Sequence, residues 1–564
     1  MKHVHPSRPM RPAESLGSPQ KWMTLLLSVP SHWMRASTSK RFQLLLATVA
    51  IVTSVLASLA RSADSTGADR MIAIAIPGPE IQTAANRIGN SIQRVCAPQP
   101  DAQIPRWEVE GWEPYQRLWN EFAANPGDPV LRKYLGLPIG TTARQQSVLI
   151  KSSRGRSAPS WLGWKSGTYQ QVDTPHLQIF SHADDDATRE VAADLERVYW
   201  VWTQLFFPLW ESQGQVALQL ANVAENQTIA SSLSKNPARL SSRRKLRIVL
   251  LKDAADYVRT LGQSMPGIGQ STGFYSDERQ TSFFYPSDSA DAVATRRHEL
   301  VHQLFREATR SGLSGDSPGS KLDFWLVEGI AGYFESLQFD QNGATVGGWD
   351  SPRLQFARYR TLGGRDFIPL EELRFGGRET VQKQADLARW YANAIAYTHA
   401  LLDGDSIGER RWVYQLLASL YQIRVDVPGA ATPSDAERKL VDFLKIDDTV
   451  IRSNPTERKL GELCLSGCEV TARGLAEIKT DQHCRWIDLS RLPITVQDVT
   501  KLCPDPTGLD QLSLEVTRID HSISDWLRLA KNLHELDLSW TDCGDETIAS
   551  ISDHSKIQTL WMTG

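Results

Sequence analysis

Cysteine is scarce in this chain, six residues in 564, and no two of them form a CxxC pair, so neither a dense disulfide framework nor a cysteine zinc site is expected. Net charge is scarce as well. The 62 basic and 65 acidic side chains leave a formal charge of -3, which offers no global field to draw in nucleic acid, and no nucleic-acid partner is expected. No nucleotide-binding loop and no Ser/His/Asp motif stands out. Long hydrophobic runs are limited to one. What is there in quantity is ordinary globular material, 41% hydrophobic and 8% aromatic, enough to bury several cores.

The single long run, Phe42 to Ala60, has 19 residues without a charge and would span about 28 Å as a helix, close to a bilayer core. Seven basic residues, ending in Lys40 and Arg41, precede it against one acid, Glu14. Residues 1–41 therefore read as a cytoplasmic basic tail and residues 42–60 as a membrane-anchoring transmembrane helix, with the bulk of the chain extracytoplasmic, periplasmic or at the cell surface. Small residues follow, and a cleavage site ending at Ala60 or Ala63 would instead make the protein secreted.

Residues 64–172 are mixed, with a strand-like run at Met71 to Ile76 and a helical pattern around Tyr115 to Ala124. Trp107, Trp112, Trp119, Trp161 and Trp164 read as packing residues there. From 173 to 452 the order is α+β: a strand at "HLQIFS", a helix with apolar Val191, Leu195, Val198, Trp202 and Leu205, a strand at Leu246 to Leu251, a helix from Ala254 and strand-like text at Thr281 to Tyr285. Helices dominate afterwards, and Ser434 with Glu437 three residues on has the form of a capping box opening a last helix to Leu444.

Residues 455–564 repeat themselves. Leu463, Ile487, Leu512, Leu536 and Leu560 are spaced by 24, 25, 24 and 24 residues, each inside an apolar-x-x-apolar-x-apolar segment. This pattern resembles leucine-rich repeats, which implies a short α/β solenoid with one strand per repeat and a face able to bind substrate or a protein partner. Cys468 then falls at a turn, Cys484 replaces a strand leucine, the other C-terminal cysteines fall between strands, and buried free thiols are expected.

The stretch "RRHELVHQLF" names a chemistry. His298 and His302 stand i and i+4 on a helix, so both imidazoles leave one face about a turn apart, as a shared metal ion requires, and Glu299 sits beside them as a general base. A third ligand, Glu328, follows 26 residues past His302 in "WLVEGIAGYFE", where an unpaired carboxylate among Trp325, Leu326, Val327 and Ile330 would be costly. Two histidines and a glutamate leave a position open on Zn2+, and the expected reaction is hydrolysis of a peptide or protein substrate with Glu299 moving the proton. The competing reading is an extracytoplasmic protein-binding scaffold with an inactive peptidase-like domain.

Together, "HELVHQLF" and "WLVEGIAGYFE" resemble the gluzincin zinc metallopeptidases, the group containing thermolysin and aminopeptidase N. The combination with an anchor and leucine-rich repeats resembles planctomycete membrane-anchored proteins. The family likeness implies a thermolysin/aminopeptidase-like domain, a mixed sheet plus a helical half, across 173–452, with His298, His302 and Glu328 on zinc and Glu299 catalytic. It further implies Glu335 as a carboxylate steadying a zinc histidine and Tyr391, or its competitor Tyr397, as the oxyanion donor. The acid that thermolysin-like members carry four residues after the third ligand is absent, Gly332 standing there. The glutamate-bearing Gly-rich signature of aminopeptidases is also missing from "STGFYSDE", which points to an endopeptidase. By fold analogy, the strand near Thr281 to Tyr285 would offer an edge to extended substrate.

Overall fold

The computed structural model describes residues 70–75, 93–95, 107–139, 145–151 and 157–564, apart from 126, 138, 242–243, 340–343, 365, 454–457 and 483. The basic tail, the 42–60 run and Cys96 lie outside the described residues. Among the described residues no helix is long and apolar enough to cross a membrane, and the expectation of a transmembrane helix is corrected accordingly. The 21-residue helix Asp185–Leu205 has the length but carries Asp194, Glu196 and Arg197 mid-helix, which a bilayer centre would penalise.

The fold is mixed α and β. Strands β1 (Arg70–Ala75), β2 (Gln93–Val95), β3 (Gln145–Lys151), β4 (Gln170–Asp173), β5 (Leu177–Ser181), β6 (Leu246–Leu250), β7 (Gly273–Ser276), β8 (Thr281–Phe284), β9 (Gln338–Phe339) and β10 (Ala344–Val346) come first. Seven of them make one sheet in the order β1-β3-β4-β5-β6-β8-β7, while β2, β10 and β9 form a small second sheet. Pairing is parallel from β5 through β6 to β8 and antiparallel elsewhere in the large sheet. The parallel centre is covered on both faces, which is why β5 and β6 read as near-continuous apolar runs. β4 and β5 form a hairpin, so the 172/173 boundary expected from composition falls inside β4, and residues from Trp107 onward share one core with the helices that follow.

Helix α1 (Trp112–Ala124) brings Trp112 and Trp119 into that core, with Trp119 edge-on to Trp200 at 5.2 Å. Not every expected packing tryptophan is buried. Trp161 is 40% exposed beneath the Arg279 guanidinium, and Trp164 stacks on His182 at 3.6 Å. Helix α2 (Asp185–Leu205) is capped by Asp184, whose carboxylate accepts from the Ala187 amide. Its predicted face, Val191, Leu195, Val198, Trp202 and Leu205, is buried, each side chain contributing roughly 1.5–3 kcal/mol.

Four further helices matter for the site: α3 (Ala290–Glu307), α4 (Phe324–Phe334), α5 (Pro352–Arg358) and α6 (Leu387–Asp403). The expected helix ending at Leu444 is present as Ala436–Leu444 but without the capping box, and a further short helix, Asp448–Ser453, follows it before the repeats. Glu437 instead accepts from the Leu370 amide, and Asp435 takes a left-handed conformation at the helix start.

The C-terminal strands β11 (Glu462–Cys464), β12 (Trp486–Asp488), β13 (Gln511–Ser513), β14 (Glu535–Asp537) and β15 (Thr559–Trp561) form a parallel sheet in chain order. Leu463, Ile487, Leu512, Leu536 and Leu560 are direct partners across it, so the sequence period is the strand register. Three residues past each strand end the backbone turns left-handed, at Gly467, Arg491, Val516, Trp540 and Gly564. The amides of Arg491, Val516 and Trp540 there donate to Glu515, Ser539 and Thr563 of the next repeat, which holds non-glycine residues in a costly region.

Cys464, Cys468, Cys484 and Cys503 are buried free thiols. Cys464, however, lies in β11 itself, and Cys484 precedes β12 by two residues instead of replacing a strand leucine. These repeats have their own apolar core, tied to the rest through α5. The buried Arg358 donates to the carbonyls of Leu444 and Trp349, and Gln355 accepts from the Cys464 amide at 3.0 Å.

Candidate metal centre

Helix α3 starts at Ser289, whose hydroxyl accepts from the Ala292 amide, with Asp291 in the first turn. It then presents His298 and His302 on one face, their ring centroids 4.8 Å apart. Helix α4 begins at Asp323, left-handed and held by Trp325 Nε1 and Arg374 Nε, both donating to its carboxylate at 3.1 Å. It crosses α3 and delivers Glu328 to the same point.

The packing that sets α4 is close. A Cβ at Gly332 would come 2.5 Å from Ile395 Cδ1 on α6, and one at Gly329 would collide with Thr398. A side chain at 332 would force Ile395 to move, so this packing disfavours an acid four residues after Glu328.

His298, His302 and Glu328 each offer one ligand atom, all within 4.8 Å of one another. Glu328 Oε2 lies 3.4 Å from His298 Nε2, and Oε1 lies 3.8 Å from His302 Nε2. A tetrahedral ion with bonds of about 2.0–2.1 Å holds its donor atoms roughly 3.4 Å apart, so the two nitrogens and the carboxylate fit a zinc-sized cation.

The other nitrogen of His298, Nδ1, is 2.8 Å from Glu335 Oε1. Glu335 in turn accepts two bonds from Arg353 on α5, at 2.6 and 3.1 Å. This arginine–carboxylate–imidazole line fixes the ring orientation and leaves Nε2 for the centre. Glu335 sits where the sequence placed it; Arg353 was not foreseen, and nothing in "SPRLQF" signals it.

Charge in the cluster follows from burial and neighbours. Burial opposes ionisation of Glu335, but Arg353 and His298 outweigh it and hold the carboxyl at about 2. Burial likewise opposes Glu328, and the two histidines bring it to about 2. Burial would also lower His298, yet bonds to Glu328 and Glu335 raise it to about 10. Among the described residues His302 has no such partner on its far side, and burial takes it down to about 4.

Glu299 points to the edge of the large sheet. Its Oε2 accepts from the Tyr275 amide of β7 at 2.8 Å, and burial pushes its pKa up to about 7, within range for proton transfer near neutrality. The edge strand is therefore β7, whereas β8, expected from "TSFFY" to be the edge, is enclosed between β6 and β7. A short apolar run reads alike for edge and interior strands, and only the pairing separates them.

Of the two tyrosines on α6, Tyr391 reaches the cluster. Burial, followed by the charge of the nearby Glu328 carboxylate, raises its pKa well above the usual phenol value. Tyr397 is buried elsewhere on the helix, beside Leu370 and Glu437.

A last residue, unforeseen, is Arg378, which lies over the Phe324 ring at 5.2 Å, one helical turn before Glu328. No protein-family model matches this chain, and no curated protein matches it significantly.

Proposed function

We propose that this protein is a zinc-dependent hydrolase of peptide bonds, with a gluzincin-like catalytic region and a leucine-rich repeat solenoid that holds substrate or a protein partner. The observation that carries the reading is the convergence of His298 Nε2, His302 Nε2 and the Glu328 carboxylate, with the His298–Glu335–Arg353 line behind it and Glu299 beside it. A histidine and glutamate trio alone is common. One backed by an orienting carboxylate and flanked by a carboxylate poised near neutrality is a constellation for metal-assisted hydrolysis.

Zinc at this point supplies Lewis acidity and lowers the pKa of water to about 7. The chain supplies the rest. Glu299, held by the Tyr275 amide, takes the proton from the attacking water and returns it to the leaving amine. The Tyr391 hydroxyl donates to the carbonyl oxygen as negative charge develops there. β7 runs along this side of the cluster, and its Tyr275 amide, donating to Glu299, holds the base in place. The register of β11 to β15 and the left-handed turn recurring after each strand support the solenoid reading.

The test is zinc content by elemental mass spectrometry of the purified chain beside Glu328→Ala, followed by a peptide-library screen of the zinc-loaded protein. About one zinc per chain, largely lost in the variant, with cleavage abolished by chelation, is expected. Failure to take up zinc on reconstitution would sink the enzyme reading and leave the repeat face as the functional surface.

A further inference from the structure

Arginines around the metal cluster are engaged, with one exception. Arg353 is spent on Glu335, Arg374 on Asp323 and Arg306 on Asp277. Arg378 has no carboxylate partner among the described residues, and its buried Nε has no hydrogen-bond partner among them. Its position is fixed: the backbone amide donates to the Gly319 carbonyl, and the guanidinium lies over Phe324. Phe324 stacks on Trp390 at 5.6 Å, and the next residue on α6 is Tyr391. Phe324 and Glu328, four apart on α4, share a face, so the cation lies on the side of α4 that carries Glu328. Its charge also reaches Glu299, His302 and Glu328.

A partly buried guanidinium without a directly bonded carboxylate gains charge-assisted hydrogen bonds when a ligand brings one. The planar fork, already clamped against an aromatic face, is set to take a carboxylate through two parallel bonds. We propose that Arg378 is the specificity-determining residue of this site and selects peptides that place a carboxylate beside the bond to be cleaved. The inference rests on the peptidase reading and deepens it. The carboxylate belongs either to an acidic side chain or to the C-terminus of a short peptide, and the experiment separates the two.

The probe is one acetylated peptide in three forms: Glu with an amidated C-terminus, Gln with a free C-terminal carboxylate, and Gln with an amidated C-terminus. Each is titrated calorimetrically into zinc-loaded Glu299→Gln protein, which binds without turnover. One carboxylate form is expected to bind about tenfold or more tighter than the neutral form, and which one gains identifies the source. That gain is expected to vanish in Glu299→Gln/Arg378→Met and mostly to vanish with Arg378→Lys, which keeps charge and stem and guards against misfolding, zinc content staying unchanged. Three forms that bind alike or not at all, or a gain that survives in both variants, overturn the proposal. Hydrolysis by the unmodified chain is followed in parallel. Arg378-dependent binding without cleavage would remove the hydrolase reading and leave this recognition standing, whereas cleavage without any carboxylate preference would do the reverse.

Discussion

The histidine–glutamate cluster and the repeats solve opposite problems. In the repeats, each buried residue meets its counterpart from the neighbouring unit, Leu463 against Ile487 and Leu512 against Leu536, so every contact is a copy of the last. In the cluster nothing is copied: His298 on α3, Glu328 on α4, Arg353 on α5 and Tyr391 on α6 meet once. The repeats bury mostly apolar and thiol groups, with Asp488 and Asp537 as isolated buried carboxyls, whereas the cluster gathers several charged groups at one point. A periodic region spreads its stability over equivalent interfaces, while a convergent one concentrates function in a few irreplaceable atoms.

Single substitutions are expected to break this comparison on one side at a time. The largest effect belongs to Glu299→Gln. It should retain zinc and lose hydrolysis by roughly 10²- to 10⁴-fold, read as kcat on a cleaved library peptide, because the base goes and the ligands stay. Retained activity would remove Glu299 from proton transfer.

Next is Ile487→Ala in the middle of the repeat core, fully buried, with an expected loss of about 2–5 kcal/mol. Hydrogen exchange should show the loss in β11, β12 and β13, with zinc content unchanged. Equal loss of protection in α3 would mean that the two regions unfold as one, through the α5 contacts.

Arg353→Met tests the line behind His298. Metal affinity is expected to fall by roughly 10- to 100-fold, measured by competition with a chromophoric chelator, as an orienting group is lost while all three ligands remain. Unchanged affinity would reduce Glu335 and Arg353 to packing.

The smallest effect runs the other way. Val516 adopts φ 55 in a turn whose equivalent at the first repeat is Gly467. Val516→Gly should raise stability by about 1 kcal/mol in urea denaturation, since relief of a β-branched residue in the left-handed region exceeds the added chain entropy. A destabilised variant would show that the Val516 side chain contributes more than its backbone costs.

Legibility differed between the regions for the same physical reason. The repeat register was written in the sequence because a strand and its partner lie one period apart, and a spacing of 24 or 25 residues is visible without any fold. His298 and His302 were equally legible, since a four-residue step is a local property of one helix. Glu328 could be reached because α4 is short and its polar residues few, and Glu335, at its C-terminal end, through the family resemblance. Arg353 and Arg378 were not, because an arginine on a short helix carries no mark of which carboxylate, or which ligand, it will face. Tyr391 and Tyr397 stood level in the sequence. Six residues along a helix turn the side chain by about 240°, so only one of them can share the face toward Glu328.

Smaller departures teach the same point. Ser434 and Glu437 have the spacing of a cap, yet Glu437 serves Leu370, a partner distant in sequence. Trp161 has the composition of a core residue and lies at the surface. Local pattern states what a segment prefers, and tertiary neighbours decide whether that preference is used.

The sequence by itself determined the period and pairing of the C-terminal strands, the helical pair of histidines, the apolar setting of Glu328 and the free thiols of the described cysteines, all properties of short range or simple repetition. Tertiary structure alone decided that β7 and not β8 is the edge beside Glu299, that Arg353 stands behind Glu335, that Tyr391 faces the cluster, and that Arg378 is left without a carboxylate partner among the described residues. Those four depend on which elements pack together and at what angle, and such contacts join residues whose separation along the chain carries no information about their separation in space.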